Sequence, residues 1–266
     1  MQHLVQKQTS LQDCSNELKR MRIGIIGGTA MTDLAKDSIQ IDVVDDIVVE
    51  TRYGLVPVKC IKSGESNLFF IDRHHGSGTM PPHNINHLAN IEALSQAGVQ
   101  KIISVCSVGT ISEDFPPGSI GYANQYIDFT GVAVTFSQEE AKFTSMTEPF
   151  DTEMNNLLHE TLSKIQPDLR LERTYWLAQG PQFETPKEID AIQSLGGEVV
   201  GMTMPRECKL AAELSIPYSA ILVSSNWAAG REPGDATKAL DHGEVSSKAL
   251  SKLRPVIECI KSLIAQ

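Results

Sequence analysis

Long apolar runs are missing from this 266-residue sequence. No stretch reaches the roughly 18 to 20 residues needed to cross a bilayer, so no membrane partner is expected. The opening segment MQHLVQKQTSLQDCSNELKR holds no signal-peptide core and reads as a polar extension over residues 1–20. Basic charge is also short. Twenty-three Lys and Arg against 33 Asp and Glu leave a formal charge of -10, without the positive field that a sequence-independent nucleic-acid binder uses. No nucleic acid partner is expected, although a local anion site is compatible with that balance. The five cysteines, at 14, 60, 106, 208 and 259, include no CxxC pair. An odd number leaves at least one unpaired within a chain, and reduced thiols in a cytoplasm are the simplest account. The seven histidines lack HExxH spacing: His74 and His75 are adjacent, and His83 and His87 are four apart with no third ligand nearby. No metal site is expected.

What is present is the composition of a globular α/β chain, 41% hydrophobic and 21% charged with 19 glycines. From Met21 the text turns apolar, and MRIGIIGGTA reads as a buried strand entering a glycine turn. IDVVDDIVVET, GLVPVKCIKS and SNLFFIDR read as strands. In HNINHLANIEALSQAG, Ile85, Leu88, Ile91, Leu94 and Ala97 share one helical face, with Gly98 placed to end it. The strands KIISVCSVGTI and GSIGYANQYIDF follow. TEMNNLLHETLSKIQ is an amphipathic helix through Met154, Leu157, Leu158, Leu162 and Ile165. A strand around TYWLAQG, a helix at TPKEIDAIQSLGG, a strand at EVVGMTM, a helix at ECKLAAELS and a strand at YSAILVSSN come next. The chain closes on a helix from His242, in which Pro255 is expected to make a kink. Alternating strands and helices imply one α/β domain over residues 21–266, a mostly parallel or mixed sheet with helices on both faces.

Ligands of such sheets collect beyond the carboxyl ends of the strands. There, IGIIGGTA offers backbone amides and the Thr29 hydroxyl to an anion. A tight turn without a ligand reads equally well. Dinucleotide binding would need GxGxxG, and Gly24, Gly27 and Gly28 have another spacing, though Asp42, Asp45 and Asp46 lie near where a ribose-binding acid belongs. FFIDRHHG places Arg73, His74 and His75 at a strand end, where a guanidinium presents paired donors to a phosphate-like group or forms a plain salt bridge. VCSVGT, with Ser107 and Gly109, allows close backbone approach.

With AQGPQFETPKEI, VVGMTMPRE and VSSNWAAG added, the ordered set resembles the trimeric purine nucleoside phosphorylases. Within them it is most similar to the methylthioadenosine and methylthioinosine phosphorylase branch, from about Met21 to the C-terminus. The resemblance implies a single domain built on a twisted mixed sheet flanked by helices, assembled as a homotrimer, with phosphate as co-substrate and no cofactor. It places phosphate on Thr29, Arg73, His74, Ser107 and Thr203, and the ribose on Met202. Phe183, Glu184 and Asn226 form the base pocket, and Phe143 reaches a neighbouring subunit's sugar site. Asn226, Glu184 and His74 are the residues it puts at the reaction itself, while His242 resembles a histidine that some relatives place on a 5′-hydroxyl.

Glu184 and Asn226 in place of the serine and aspartate of the adenine-preferring branch imply a 6-oxopurine, because a carboxylate accepts from its protonated nitrogen 1. The expected substrates are methylthioinosine or inosine and guanosine, with methylthioadenosine as the alternative. His75 stands where the family usually has glycine, and GMTMPRE differs from GMTxxPE in its proline and Arg206. Those departures carry a second reading of another class, a nucleoside or planar-ligand binder on the same scaffold.

Overall fold

Met21–Gly27 (β1) lies at the middle of a mixed sheet, its Ile23 and Ile26 wholly buried because strands run along both of its edges. The chain is seen here as a computed structural model that describes residues 21–28, 43–63, 66–75, 80–240 and 254–265. The polar segment 1–20, Thr29, Asp42, Gly78 and His242 lie outside them. Val43–Thr51 (β2) and Gly54–Ser63 (β3) form an antiparallel hairpin, and Ser66–Asp72 (β4) joins β3 to β1. Lys101–Thr110 (β5), Ile120–Asp128 (β6), Glu172–Leu177 (β7), Val199–Gly201 (β8) and Tyr218–Trp227 (β9) follow. The strand order is β2-β3-β4-β1-β5-β8-β7-β6-β9, with a further pairing of β5 to β9.

That last pairing closes five strands into a circuit. β5 is its pivot: residues up to Ser104 pair with β1, while Gly109 and Thr110 turn to β8. The register of β5 against β9 shifts between Val108 and Gly109, a local bend at the strand's carboxyl end. The hairpin takes Asp45 and Asp46 away from the place of a ribose-binding acid: they sit on β2, separated from β1 by β3 and β4.

Among the described residues the helices are His87–Gln96 (α1), Thr152–Ile165 (α2), Pro186–Ser194 (α3), Met204–Glu213 (α4) and Arg254–Ile264 (α5). α1 starts later than its apolar spacing suggests. Pro82–Asn84 forms a short 3-10 helix, and Asn86 then caps α1 by accepting from the Ala89 N–H. Gly98, at φ 69°, ends it as expected. α3 carries a reciprocal capping box between Thr185 and Glu188. α4 begins at Met204, ahead of the expected Glu207, because a proline fits the first helical turn. The strand expected over EVVGMTM shortens to β8 for the same reason. Pro255 is the second residue of α5 as described, so the expected kink falls outside the described residues.

α1 and α4 cover one face of the sheet through Ile91, Leu94 and Leu210; α2 and α5 cover the other through Leu158, Leu162, Ile257 and Ile260. Ile165, expected on the apolar stripe of α2, is 42% exposed at the helix end. Each fully buried Leu or Ile contributes about 1.5–3 kcal/mol, and it is this two-sided burial that fixes the strand ends in space.

Candidate active site

The carboxyl ends of the parallel strands β1, β4, β5 and β9 open on one side of the sheet, and most of the expected residues stand there. The Arg73 backbone N–H donates to the Gly27 carbonyl at 2.8 Å, tying the β4 end to the glycine turn. Its side chain does not project to solvent. Only 4% exposed, Arg73 donates from Nε to Oε1 of Glu207 at 2.5 Å, from Nη2 to Oε2 of Glu207 at 3.2 Å and to the Ser104 hydroxyl at 2.7 Å, and from Nη1 to the Val105 carbonyl at 3.2 Å. Ser104 Oγ and Tyr218 Oη also donate to Glu207 Oε2, at 2.8 and 3.0 Å. Burial alone would raise the pKa of this carboxyl, but the adjoining guanidinium and hydroxyl outweigh it and hold it low. Arg73 stays charged: burial opposes that, and Glu207 prevails.

Glu207, Ser104 and Tyr218 were not singled out by sequence reasoning. The available signal was an acid four residues after Thr203, on a helix face otherwise filled by Met204, Cys208 and Ala211. Thr203 is 9% exposed beside this group, and its backbone N–H donates to Tyr175 Oη at 3.3 Å. Ser107, two residues after Val105 on β5, is exposed at the strand end.

His74 is half-buried. Its backbone N–H donates to Asp72 Oδ1 at 3.1 Å and its Nδ1 donates to the Met80 carbonyl at 2.8 Å. Desolvation lowers its pKa, so the ring is neutral with Nε2 as an acceptor. His75 adopts φ 51°, a left-handed conformation suited to the glycine it replaces, and Nε2 donates to Asn90 Oδ1 at 2.7 Å.

The base-pocket candidates come from three elements. Asn226 is the next-to-last residue of β9 and pairs with Gly109, where a Cβ would lie 3.4 Å from the Asn226 amide nitrogen and 3.2 Å from Val200. The small residue at the β5 bend therefore makes room for the amide. Within the chain that amide is turned to its neighbours: Nδ2 donates to the Trp227 carbonyl at 2.7 Å, and Oδ1 accepts from Ser225 Oγ at 2.9 Å. Gly180, at φ 65°, likewise makes room for Met202, whose sulfur would meet an added Cβ at 2.5 Å. Phe183 is 37% exposed, and Glu184 precedes the α3 cap with its Oε1 buried and without a hydrogen-bond partner. Burial raises the Glu184 pKa, its own backbone N–H opposes, and Glu188 adds to the rise. Phe143 is 96% exposed and joins none of the hydrophobic clusters among the described residues. Thr29 and His242 are outside the described residues. Among the described residues no group of three metal-ligating side chains occurs, and no helix is long and apolar enough to cross a membrane.

Residues 22–261 match the model of the phosphorylase superfamily. A probable S-methyl-5′-thioinosine phosphorylase of Thermodesulfovibrio yellowstonii is 36% identical over 218 residues, 80% of each chain. A 6-oxopurine nucleoside phosphorylase of Pyrococcus furiosus is 34% identical over 252 residues, 91% of this chain and 92% of that one. Among solved structures, a methylthioadenosine phosphorylase from an antarctic soil metagenomic library superposes with a TM-score of 0.78 at 26% identity, covering 93% of this chain and 87% of that one.

Proposed function

The chain belongs to the phosphorylase superfamily, and from that premise we propose that it cleaves the N-glycosidic bond of a 6-oxopurine nucleoside with inorganic phosphate. The products are the free base and a ribose 1-phosphate or its 5-methylthio counterpart. The observation that carries the choice of base is Glu184: a carboxylate oxygen, buried and unpartnered, beside Phe183. A purine whose nitrogen 1 bears hydrogen satisfies that oxygen, whereas adenine presents a lone pair to it. The relatives named for 6-oxopurine nucleosides and for S-methyl-5′-thioinosine support the same reading.

The chemistry asks for little beyond placement. As the bond to the base lengthens, the sugar gains oxocarbenium character and the base gains negative charge. Phosphate, held by Arg73, His74, Ser107, Thr203 and Thr29, stabilises the cation from below and then forms the new bond to the anomeric carbon. Asn226 rotates from the Trp227 carbonyl to donate to nitrogen 7 and thereby supports the departing base. Met202 lies against the ribose. Positioning and electrostatics supply the rate, and no organic cofactor or metal takes part.

Phe143 completes a neighbouring subunit's sugar site in a homotrimer, since an aromatic left 96% exposed has its burial only in a partner. Residues 21–266 act as one catalytic domain, with 1–20 as an extension. Cys106, Cys208 and Cys259, buried thiols among the described residues, support a reducing, cytoplasmic setting. Inosine, guanosine, adenosine, methylthioinosine and methylthioadenosine, each with phosphate, form the test. Faster turnover of the three 6-oxopurine nucleosides is expected; preference for the two adenine nucleosides overturns the assignment of the base, and binding without turnover of any favours the non-enzymatic reading.

A further inference from the structure

A second group of polar side chains adjoins the first turn of α4. A cavity of about 200 Å3 opens between the start of α1 and the segment after β6; Arg206, Gln179 and His87 bring polar atoms to it, and Ile85, Leu88 and Val134 bring apolar walls. Arg206 is 4% exposed, yet among the described residues its guanidinium has only neutral partners: Nη1 donates to the Met202 carbonyl and Nη2 to Gln179 Oε1, both at 2.9 Å. Among the described residues no carboxylate lies within ion-pair distance of it, and Glu207, next in the chain, is committed to Arg73. Burial lowers the Arg206 pKa, and Asp128 opposes from a distance while paired to Lys209. A buried guanidinium without a counter-ion is costly.

His87 has a matching deficit. It is 5% exposed, and neither ring nitrogen has a hydrogen-bond partner; Glu207 Oε1 stands 3.8 Å from Nδ1. A missing anion at Arg206 and an unused donor at His87 thus border the same cavity, with hydrocarbon on its other walls. Neither residue is one of those assigned to phosphate, sugar or base.

We propose that this cavity binds a small organic anion, its oxyanion head on Arg206, His87 and the Gln179 amide and its short apolar body against Ile85, Leu88 and Val134. The head is a carboxylate or a phosphoryl group, since both accept from a planar guanidinium at two points. The volume limits the body to a few carbons.

Isothermal titration calorimetry of the full chain with butyrate, butyl phosphate and butylamine tests this. Saturable binding of one anion per chain is expected, with the better of the two identifying the head, and no binding of the amine. Arg206→Gln should weaken the anion by about 10-fold or more, the loss of one charge-assisted contact. Arg206→Lys, which keeps the charge, should retain weaker binding and serves if the first variant fails to fold. In parallel, the His87 ring resonances should move on saturation. Binding that survives unchanged in folded Arg206→Gln belongs to another site and overturns the proposal. So does an absence of anion binding accompanied by loss of assembly in Arg206→Gln, which would make a second copy's carboxylate the counter-ion.

Discussion

Arg73 and Glu207, 134 residues apart in the chain, meet as a two-point ion pair in the core, Nε 2.5 Å from Oε1 and Nη2 3.2 Å from Oε2. With Ser104 and Tyr218 donating to the same carboxylate, Glu207 sets the plane of the guanidinium at the β4 end. One Nη1 hydrogen is given to Val105, and the other is what remains for an incoming phosphate.

Glu207→Gln should therefore destabilise the fold by about 3–5 kcal/mol, because it leaves Arg73 charged and buried without compensation. Urea unfolding measures this. Replacing both partners, as Arg73→Met with Glu207→Leu, should cost less than the sum of the two single changes. A single variant as stable as the wild type would mean that the pair is not closed in solution.

His87 makes stability depend on pH. Burial outweighs Glu207 and holds its pKa down to about 4, against an ordinary value of 6.5. Between those values the unfolded chain takes up a proton that the folded chain does not, so stability is complete above pH 6.5 and falls as pH drops toward 4. The loss is about 3 kcal/mol. His74, also lowered, acts in the same sense, so the measurement is a comparison. His87→Phe should show a flatter decline than the wild type in unfolding titrations across that window, and an identical decline would place His87 in water.

The strand ends were legible because apolar runs such as MRIGII and FFID end abruptly in glycine, charge or hydroxyl. Arg73 could be picked out for that reason, whereas Thr203 and Asn226 were implied by the resemblance of the motifs that hold them. The partner of Arg73 could not. Glu207 lies on a helix whose start the sequence placed three residues late, so its inward direction was hidden, and nothing local joins it to β4. The closure of β5 on β9 was hidden likewise, since pairing between distant strands leaves no periodic mark. In the sequence His87 is one of a histidine pair without a third ligand and Arg206 a departure from GMTxxPE, and their burial follows only from the packing of α1 against α4.

Glu184 should shape the pH dependence of catalysis. Its carboxylate, raised by burial, accepts from nitrogen 1 only when ionised, so kcat/KM for inosine-type substrates should fall with decreasing pH above the usual glutamate range. Glu184→Gln should remove that limb. Asn226→Asp should shift preference toward adenosine-type substrates by about 10-fold or more, read as a ratio of kcat/KM values. An unchanged ratio would mean that Asn226 does not touch the base.

Phe143→Ala should lower activity at dilute protein concentration more than at high concentration, because the side chain lends area to a partner. Sedimentation should give a trimer for the wild type. A monomer active at assay concentration would contradict the shared site.

The central claim is phosphorolysis, and the most direct measurement is release of hypoxanthine from inosine or methylthioinosine with and without inorganic phosphate. The account expects strict dependence on phosphate, sugar 1-phosphate formed in equal amount to base, and no effect of a chelator. Base released equally fast in phosphate-free buffer, with free sugar as the second product, would contradict it and make the protein a hydrolase.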